Sequence, residues 1–152
     1  MIYLSKNEKE TQKIAGNLAL KTLKLKDPVV IILEGELGAG KTTFVRGFAK
    51  ALGIKAKIKS PTFNLMKGYK IPRNSIFHIP YSIFLVHIDC YRVRDHRDLA
   101  TLDLKTLFRS PQNIVLIEWP ERISKILPNR LIKVHIDHIG RNERKIQIVK
   151  SK

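Results

Sequence analysis

Apolar runs along the chain predict buried strands that alternate with helices. Residues 29–33 are five apolar, mostly β-branched residues, which is typical of a strand buried on both faces of a sheet. Two further runs, 83–89 and 114–118, are also mainly apolar, and each ends in a carboxylate, Asp89 or Glu118. We therefore expect three central strands, two of which present an acidic group where the strand ends.

Helical spacing of apolar residues predicts two longer helices. Residues 8–25 place apolar side chains on one helical face, and Ser5 with Glu8 three residues later predicts a capping box at the start. A second helix is expected to begin at Lys41 and to stop at Gly53.

Shorter patterns predict the remaining strands. Residues 63–69 can pair with 83–89, and the two prolines within 71–81 favour a long loop between these strands. Residues 131–136 and 145–149 alternate apolar and polar side chains around a turn, which predicts an antiparallel hairpin at the sheet edge.

Short helices complete the predicted elements. Residues 95–108 suit one or two short helices with Asp103 as a cap at the break, and 120–126 suit a brief helix that begins with proline. Residues 2–4 are a weaker strand candidate.

A glycine-rich loop joins the first buried strand to the second helix. It fits the pattern G-x-x-x-x-G-K-[ST] with Gly35, Gly40, Lys41 and Thr42. Backbone N–H groups of such a loop cradle phosphate oxygens at the positive end of the following helix. The lysine reaches the β- and γ-phosphates, and the hydroxyl ligates Mg²⁺. The predicted phosphate-binding residues are Gly35, Gly38, Ala39, Gly40, Lys41, Thr42 and Thr43.

The order of elements predicts an α/β fold, a P-loop NTPase three-layer sandwich with a mostly parallel central sheet and an antiparallel edge hairpin. We expect residues 1–152 to form a single domain, because no repeat or low-complexity linker divides them.

The two strand-end carboxylates are the candidate metal and catalytic groups. In an open α/β sheet, ligands bind beyond the carboxyl ends of the strands, where Asp89, Glu118 and the phosphate loop should meet. A magnesium nucleotide needs an acidic residue near Thr42, and hydrolysis needs a group that orients water. Periodicity leaves the division of these roles between Asp89 and Glu118 open, and either could instead be a capping or ion-paired carboxylate.

The charge of the chain adds one possible partner. The net charge is +16, and between Leu37 and Ile88 there are nine Lys or Arg residues and no Asp or Glu. Such a basic field attracts phosphates and could hold RNA, although a general lysine bias without a binding role is equally consistent. Cys90 is the single cysteine, so no internal disulfide forms, and no apolar run is long enough for a membrane span. We therefore expect a cytoplasmic protein without membrane contact.

Four short motifs in order resemble one family. Gly-Glu-Leu-Gly-Ala-Gly-Lys-Thr-Thr occupies 35–43, Ser-Pro-Thr-Phe 60–63, His-x-Asp-x-Tyr-Arg 87–92 and Ile-Glu-Trp-Pro-Glu-Arg 117–122. Together they resemble the TsaE family (also called YjeE), small ATPases of bacterial tRNA threonylcarbamoyladenosine biosynthesis. The resemblance covers roughly residues 33–123.

The resemblance implies roles for particular residues. Lys41 and Thr42 would bind phosphate and Mg²⁺, Asp89 would be the Walker-B-type acid, and Glu118 would be a catalytic or water-positioning carboxylate near the γ-phosphate. The resemblance also implies ATP as substrate and partner proteins TsaB and TsaD, which act on adenosine 37 of tRNA; tRNA contact could be direct or through that complex.

Two residues have weaker assignments. By the resemblance, Thr62 would lie in a switch-like loop near the metal and the γ-phosphate, and Trp119 would be an aromatic of the active face. Thr62 could instead be a turn residue after proline, and Trp119 could serve packing alone.

The chain departs from the family pattern in two segments. Residues 68–83 are longer and more apolar than expected, and 95–109 lack the usual glutamate-rich, glycine-containing helix start. These differences affect expected partner contacts and leave the nucleotide site intact.

Other functions remain to be weighed. A small-molecule P-loop kinase would need lid arginines, for which Arg92, Arg94 and Arg97 are the only cluster, and a nucleotide-gated RNA-binding scaffold would use the basic charge. His135-x-x-His138 is a poor metal pair, because strand residues three apart face opposite sides.

Overall fold

The computed structural model describes residues 1–61, 63–73 and 83–151. These residues form strands β1 to β7 and helices α1 to α3, together with two 3₁₀ helices, His96–Leu99 and Pro120–Ile126. The strands are β1 Ile2–Ser5, β2 Val29–Glu34, β3 Met66–Lys70, β4 Phe84–Asp89, β5 Asn113–Glu118, β6 Ile132–His138 and β7 Arg144–Lys150. The helices are α1 Glu8–Thr22, α2 Lys41–Ala51 and α3 Leu104–Arg109.

All of these strands join one sheet in the order β1-β7-β6-β2-β5-β4-β3. Strands β6, β2, β5 and β4 run parallel to one another, whereas β7, β1 and β3 pair antiparallel at the two ends. The predicted mostly parallel sheet is therefore confirmed. The β6–β7 hairpin lies one strand in from the edge, because β1 pairs with β7 and satisfies its outer backbone groups.

Helices cover the two faces of the sheet, as the predicted three-layer sandwich requires. Helices α1 and α2 cover one face, where Phe44, Val45, Phe48 and Leu52 are completely buried. Full burial of a phenylalanine is worth about 1.5–3 kcal/mol, so these residues anchor α2 to the sheet. The opposite face packs against the 3₁₀ helices and α3, with Phe108 in its core.

The two helices of the first face approach each other closely at a glycine. A Cβ atom at Gly47 of α2 would lie 2.4 Å from the Cα atom of Gln12 in α1. Only a residue without a side chain fits there, so Gly47 fixes how α2 packs and where its N-terminal end lies.

The start and end of α1 differ from the sequence prediction. Asn7, rather than Ser5, caps the helix and accepts a hydrogen bond from the Glu10 N–H at 2.9 Å. The Ser5 hydroxyl is buried at the end of β1, where it bonds with Thr11 and is no longer available as a cap. The helix ends at Thr22, so Leu25 lies beyond it and is 39% exposed.

The predicted caps and pairings elsewhere are confirmed. Asp103 accepts a hydrogen bond from the Thr106 N–H at the start of α3. Strand β3 pairs with β4, although it begins at Met66, three residues later than predicted. Most of the predicted 71–81 loop lies outside the described residues. Among the described helices, none has the length and apolarity needed to cross a membrane.

Candidate nucleotide site

The carboxyl ends of β2, β5 and β4 bring the predicted site residues together. The phosphate loop follows β2, and Asp89 and Glu118 are register partners at the ends of β4 and β5. A cleft of about 450 Å³ opens beside them. Its lining includes Gly38, Gly40, Lys41, Thr42, Thr43, Asp89, Glu118 and Trp119. Gly35 and Ala39 line an adjoining cavity, and Thr62 lies outside the described residues.

The shape of the phosphate loop depends on its glycines. Gly35 has a φ of 144°, and a Cβ atom there would lie 2.4 Å from the Ile136 carbonyl oxygen of β6. Gly40 adopts a left-handed conformation immediately before α2. The loop therefore closes tightly against the sheet. The first turn of α2, whose N–H groups lack partners within the helix, lines the cleft, as anion binding requires.

Lys41 lies inside the phosphate loop. Its ammonium donates hydrogen bonds to the carbonyl oxygens of Gly35, at 2.5 Å, and Glu36, at 2.9 Å, and lies 4.1 Å from the centre of the Trp119 ring. Burial lowers the pKa of Lys41, and the nearby Glu118, Glu121 and Asp89 carboxylates oppose that shift. The lysine is thus held at the loop by contacts that a phosphate group can replace.

Glu118 faces the start of α2. The Thr42 hydroxyl donates to its Oε1 at 3.3 Å, and the Nε2 atom of His87 lies 2.8 Å from the same oxygen. The backbone is fixed as well, since the Cys90 N–H donates to the Glu118 carbonyl oxygen at 3.0 Å. Glu118 is almost completely buried, so its carboxylate has a defined orientation.

Asp89 has a different set of partners. Its Oδ1 accepts the Tyr91 N–H at 2.9 Å, and its Oδ2 accepts the hydroxyl of Ser60. Ser60 belongs to the segment that precedes β3, so Asp89 links this segment to the strand end. Asp89 and Glu118 are both almost completely buried. Asp89 contacts the segment before β3, whereas Glu118 contacts the start of α2.

Aromatic side chains border the cleft. Trp119 directly follows β5 and has a left-handed backbone, with a φ of 58°, that turns its ring over Lys41. The Tyr91 ring lies 5.0 Å from it, centre to centre. At the mouth of the cleft, the Arg92 guanidinium lies 4.4 Å from the centre of the Phe63 ring. Phe63 is 83% exposed. Trp119 therefore both packs and contacts a site residue.

The donor set fits Mg²⁺ with a nucleotide. Thr42, Asp89 and Glu118 offer oxygen atoms, which Mg²⁺ prefers, and Mg²⁺ commonly takes one or two carboxylates and completes its coordination with phosphate and water. The described residues contain no cluster of three or more His, Cys, Asp or Glu side chains that could hold a metal ion. His135 pairs with Glu34 and Asp137, while His138 contacts Arg141.

Sequence analysis missed two contributors, His87 and Ser60. Both lie within the quoted motifs but received no role. Strand parity is the signal that identifies His87, because it lies two residues before Asp89 and so faces the same side of β4. No comparable signal exists for Ser60, since its contact with Asp89 joins residues 29 apart in the chain.

Comparisons with known proteins agree with the fold and the motifs. The family model described as threonylcarbamoyl adenosine biosynthesis protein TsaE matches residues 5–146. A Bacillus subtilis protein described as tRNA threonylcarbamoyladenosine biosynthesis protein TsaE is 37% identical over 143 residues, 92% of this chain and 79% of that protein. A Rickettsia felis protein with the same description is 36% identical over 144 residues, 94% of this chain and 76% of that protein. A crystal structure of Bacillus subtilis YdiB aligns with a TM-score of 0.73 and 31% identity, covering 99% of this chain and 84% of that one.

Proposed function

Since the chain belongs to the TsaE family of tRNA threonylcarbamoyladenosine biosynthesis proteins, we propose that it binds and hydrolyses Mg·ATP in support of this modification, acting with the TsaB–TsaD complex. One observation carries the proposal. The Thr42 hydroxyl lies 3.3 Å from the buried Glu118 carboxylate, beside a lysine held inside a phosphate loop. A hydroxyl suited to a metal, a cation suited to phosphate and a buried acid thus lie together at the carboxyl ends of the strands, which supports the proposal.

Binding of the triphosphate uses the loop and Lys41. The loop N–H groups and those at the N-terminal end of α2 donate hydrogen bonds to the phosphate oxygens, and the Lys41 ammonium exchanges its carbonyl contacts for the β- and γ-phosphates. The pKa of Lys41 is lowered by burial in the protein alone. An incoming anion favours the charged form of the lysine, so phosphate binding strengthens the cation that binds it.

Three side chains with oxygen donors, Thr42, Asp89 and Glu118, are the proposed residues for binding the metal and activating the water. Thr42 and Asp89 would hold Mg²⁺ or its water ligands, with Glu118 adjacent, and the ion would neutralise charge on the phosphates. Glu118 orients or deprotonates the attacking water, since its carboxylate is buried beside the phosphate loop. Thr62 lies outside the described residues, so its proposed role near the metal rests on the family resemblance alone. Trp119 contributes an aromatic ring 4.1 Å from the Lys41 ammonium.

The mouth of the cleft supports a partner-dependent reaction. Three large side chains there are exposed, Leu37, Phe63 and Tyr91, and all line the cleft. An exposed apolar rim around a polar site is a surface that a partner can cover. TsaB–TsaD binding would then complete the site and exclude bulk solvent, while the attacking water stays beside Glu118.

The test is Mg·ATP hydrolysis by the purified protein, alone and with the cognate TsaB and TsaD. We expect hydrolysis that changes when the partners are added and that Lys41→Ala abolishes. The exposed Lys50→Ala on the same helix is the matched control and should behave as wild type. ATP binding without any partner effect would overturn the complex-dependent role.

A kinase is less well supported by the positions of its candidate arginines. Arg97 pairs with Asp95 and Arg94 with Asp98, on a surface away from the cleft lining, so of the three only Arg92 borders the cleft. Transfer of ³²P from ATP to a small metabolite rather than to water would favour the kinase.

RNA binding is a second candidate function that one observation favours. In the part of the chain that the structure describes, no exposed Lys or Arg between 38 and 73 forms an ion pair, in contrast to the buried Lys41 with its nearby carboxylates. Exposed Lys57, Lys59 and Lys67 flank Ser60 and Phe63 in the sequence, and these two residues line the cleft. A phosphate backbone would fit this basic segment.

Salt-dependent tRNA binding tests that candidate. The triple variant K57Q/K59Q/K67Q should weaken binding and flatten its dependence on salt. The control K21Q/K24Q/K26Q removes the same charge at the end of α1 and in the segment that leads into β2. An equal loss of tRNA affinity in both variants would indicate only nonspecific attraction.

The cytoplasmic location stays a prediction.

A further inference from the structure

A buried histidine in β4 has no role in the reaction as described. His87 is completely buried, and its Nε2 atom lies 2.8 Å from Oε1 of Glu118. Its Nδ1 atom has no hydrogen-bond partner among the described residues. Packing alone does not account for this residue, because a buried polar atom without a partner costs about 1–3 kcal/mol and a leucine would avoid that cost.

The register of the sheet brings the two side chains together. His87 is the partner of Leu116 across the parallel β4–β5 pair, so Glu118 is its diagonal neighbour two residues further along. His87 lies on the same side of β4 as Leu85, which packs into the core beneath α1 and α2. The histidine therefore approaches Glu118 from beneath the cleft, and it is absent from the cleft lining.

The hydrogen bond has a defined direction. A carboxylate can only accept, so the shared proton lies on Nε2 of His87 and the imidazole donates it to Glu118. The same Oε1 atom also receives the Thr42 hydroxyl at 3.3 Å, and Oε2 lies 3.5 Å from that hydroxyl. His87 thus fixes one carboxylate oxygen and with it the plane of the group that faces the start of α2.

The Lys41 ammonium is a second group that could attract the Glu118 carboxylate. Burial lowers the pKa of Lys41, and of the carboxylates that oppose this shift Glu118 has the largest effect. A glutamate has three rotatable side-chain bonds, so without a fixed contact it can turn toward the lysine ammonium. That movement would misplace the oxygen needed for the water and would occupy a cation needed for phosphate.

We propose that His87 is a positioning residue that holds the Glu118 carboxylate in the orientation required for ATP hydrolysis. The inference rests on the proposed ATPase function, since it gives Glu118 its task. His87 acts through Glu118 and does not itself contact nucleotide. Loss of a supporting contact of this kind typically costs 10- to 100-fold in activity, by analogy with metal sites whose outer ligands are removed.

Three substitutions separate the hydrogen bond from packing. In His87→Gln the side-chain amide nitrogen can reach the position of Nε2, whereas in His87→Asn the amide is too short and mimics Nδ1. His87→Leu fills the space without a donor. We expect kcat for ATP to fall about 10- to 100-fold in the Leu and Asn variants and to stay within about threefold in the Gln variant.

Binding and folding are measured in the same samples. Trp119 is the only tryptophan and contacts Lys41, so its fluorescence can report ATP binding. The KM and the affinity for ATP should stay within about threefold in all three variants, because His87 does not line the cleft. Thermal unfolding identifies any variant that fails to fold. If His87→Leu does not fold, the comparison of kcat between His87→Gln and His87→Asn tests the inference.

A double-mutant comparison tests the route of action. If His87 acts through Glu118, then His87→Leu should produce no further loss of kcat in a Glu118→Gln background. An undiminished kcat in His87→Leu, a rise in KM alone, or an additive loss in the double variant would each overturn the inference. A wild-type protein that hydrolyses no ATP, with or without partners, would instead overturn the ATPase proposal and the inference with it.

Discussion

The ends of β4 and β5 have nearly the same sequence pattern but different surroundings. Each strand is a mainly apolar run that ends in a buried carboxylate, and Asp89 and Glu118 are register partners. Asp89 is bonded to Ser60 and to the Tyr91 N–H, both in loops that border β4. Glu118 is bonded to Thr42, at the start of the phosphate-loop helix, and to His87 within the sheet.

The difference shows that the chemistry of a strand-end acid depends on its neighbours rather than on its own strand. Asp89 is held on both oxygens by donors from the loops, which suits a fixed acceptor for a metal or its water shell. Glu118 lies next to the hydroxyl and the lysine that are proposed to contact the phosphates, which suits a group that acts on water. The proposed division of roles follows from this contrast.

The largest effect is expected from Glu118→Gln, which keeps the shape of the side chain and removes its basicity. Turnover should fall about 100- to 10,000-fold, the usual contribution of a general base. ATP affinity should change little. Steady-state hydrolysis and Trp119 fluorescence measure the two quantities. Glu121→Gln is the control, because Glu121 also raises the pKa of Lys41 but is exposed and lies beyond the strand end. Turnover within a few-fold of wild type would remove Glu118 from the catalytic set.

The second-largest effect is expected at Lys41, whose pKa both strand-end carboxylates raise. Lys41→Ala should weaken ATP binding by at least about 30-fold, since loss of one member of a buried charged contact costs about 2 kcal/mol or more. Calorimetric titration measures this change, with Lys50→Ala as control. Normal ATP binding by folded Lys41→Ala protein would show that neither strand end serves a nucleotide phosphate site.

A smaller and different effect is expected from Asp89→Asn. The magnesium concentration needed for half-maximal ATP binding should rise about 10-fold, because an outer or direct metal contact loses its charge. A magnesium titration at fixed ATP measures it, and exposed Asp98→Asn is the control. If Asp89→Asn lowers turnover but leaves the magnesium titration unchanged, the proposed roles of the two acids should be exchanged.

The smallest effect on activity is expected at Cys90, which lies between the two strand ends. Its thiol is buried, and burial raises the thiol pKa to about 12. At pH 8 the reactive thiolate is therefore scarce, so iodoacetamide should label the native protein far more slowly than the urea-unfolded protein, whose thiol has an ordinary pKa. Cys90→Ala should leave turnover within about twofold, because only the backbone N–H of Cys90 contacts Glu118. Rapid native labelling with loss of activity would indicate a functional thiol.

Much of this site could be predicted from the sequence, because its signals are local. The phosphate loop is recognisable from the spacing of Gly35, Gly40, Lys41 and Thr42, and the strand ends from apolar runs that stop at a carboxylate. The prediction that Ser5 caps α1 was wrong. Ser5 and Asn7 both suit a cap, and only the burial of Ser5 at the end of β1 decides between them.

The sequence by itself determined the strands, the main helices and the chemical groups at the strand ends, because hydrophobic periodicity and loop spacing act over a few residues. Only the tertiary structure decided that β1 forms the edge beside β7, that His87 contacts Glu118, and that Asp89 contacts Ser60. These contacts depend on strand order and register, which arise from packing between distant segments. The roles of two similar acids were therefore left open by the local pattern and are distinguished by what the fold places beside each of them.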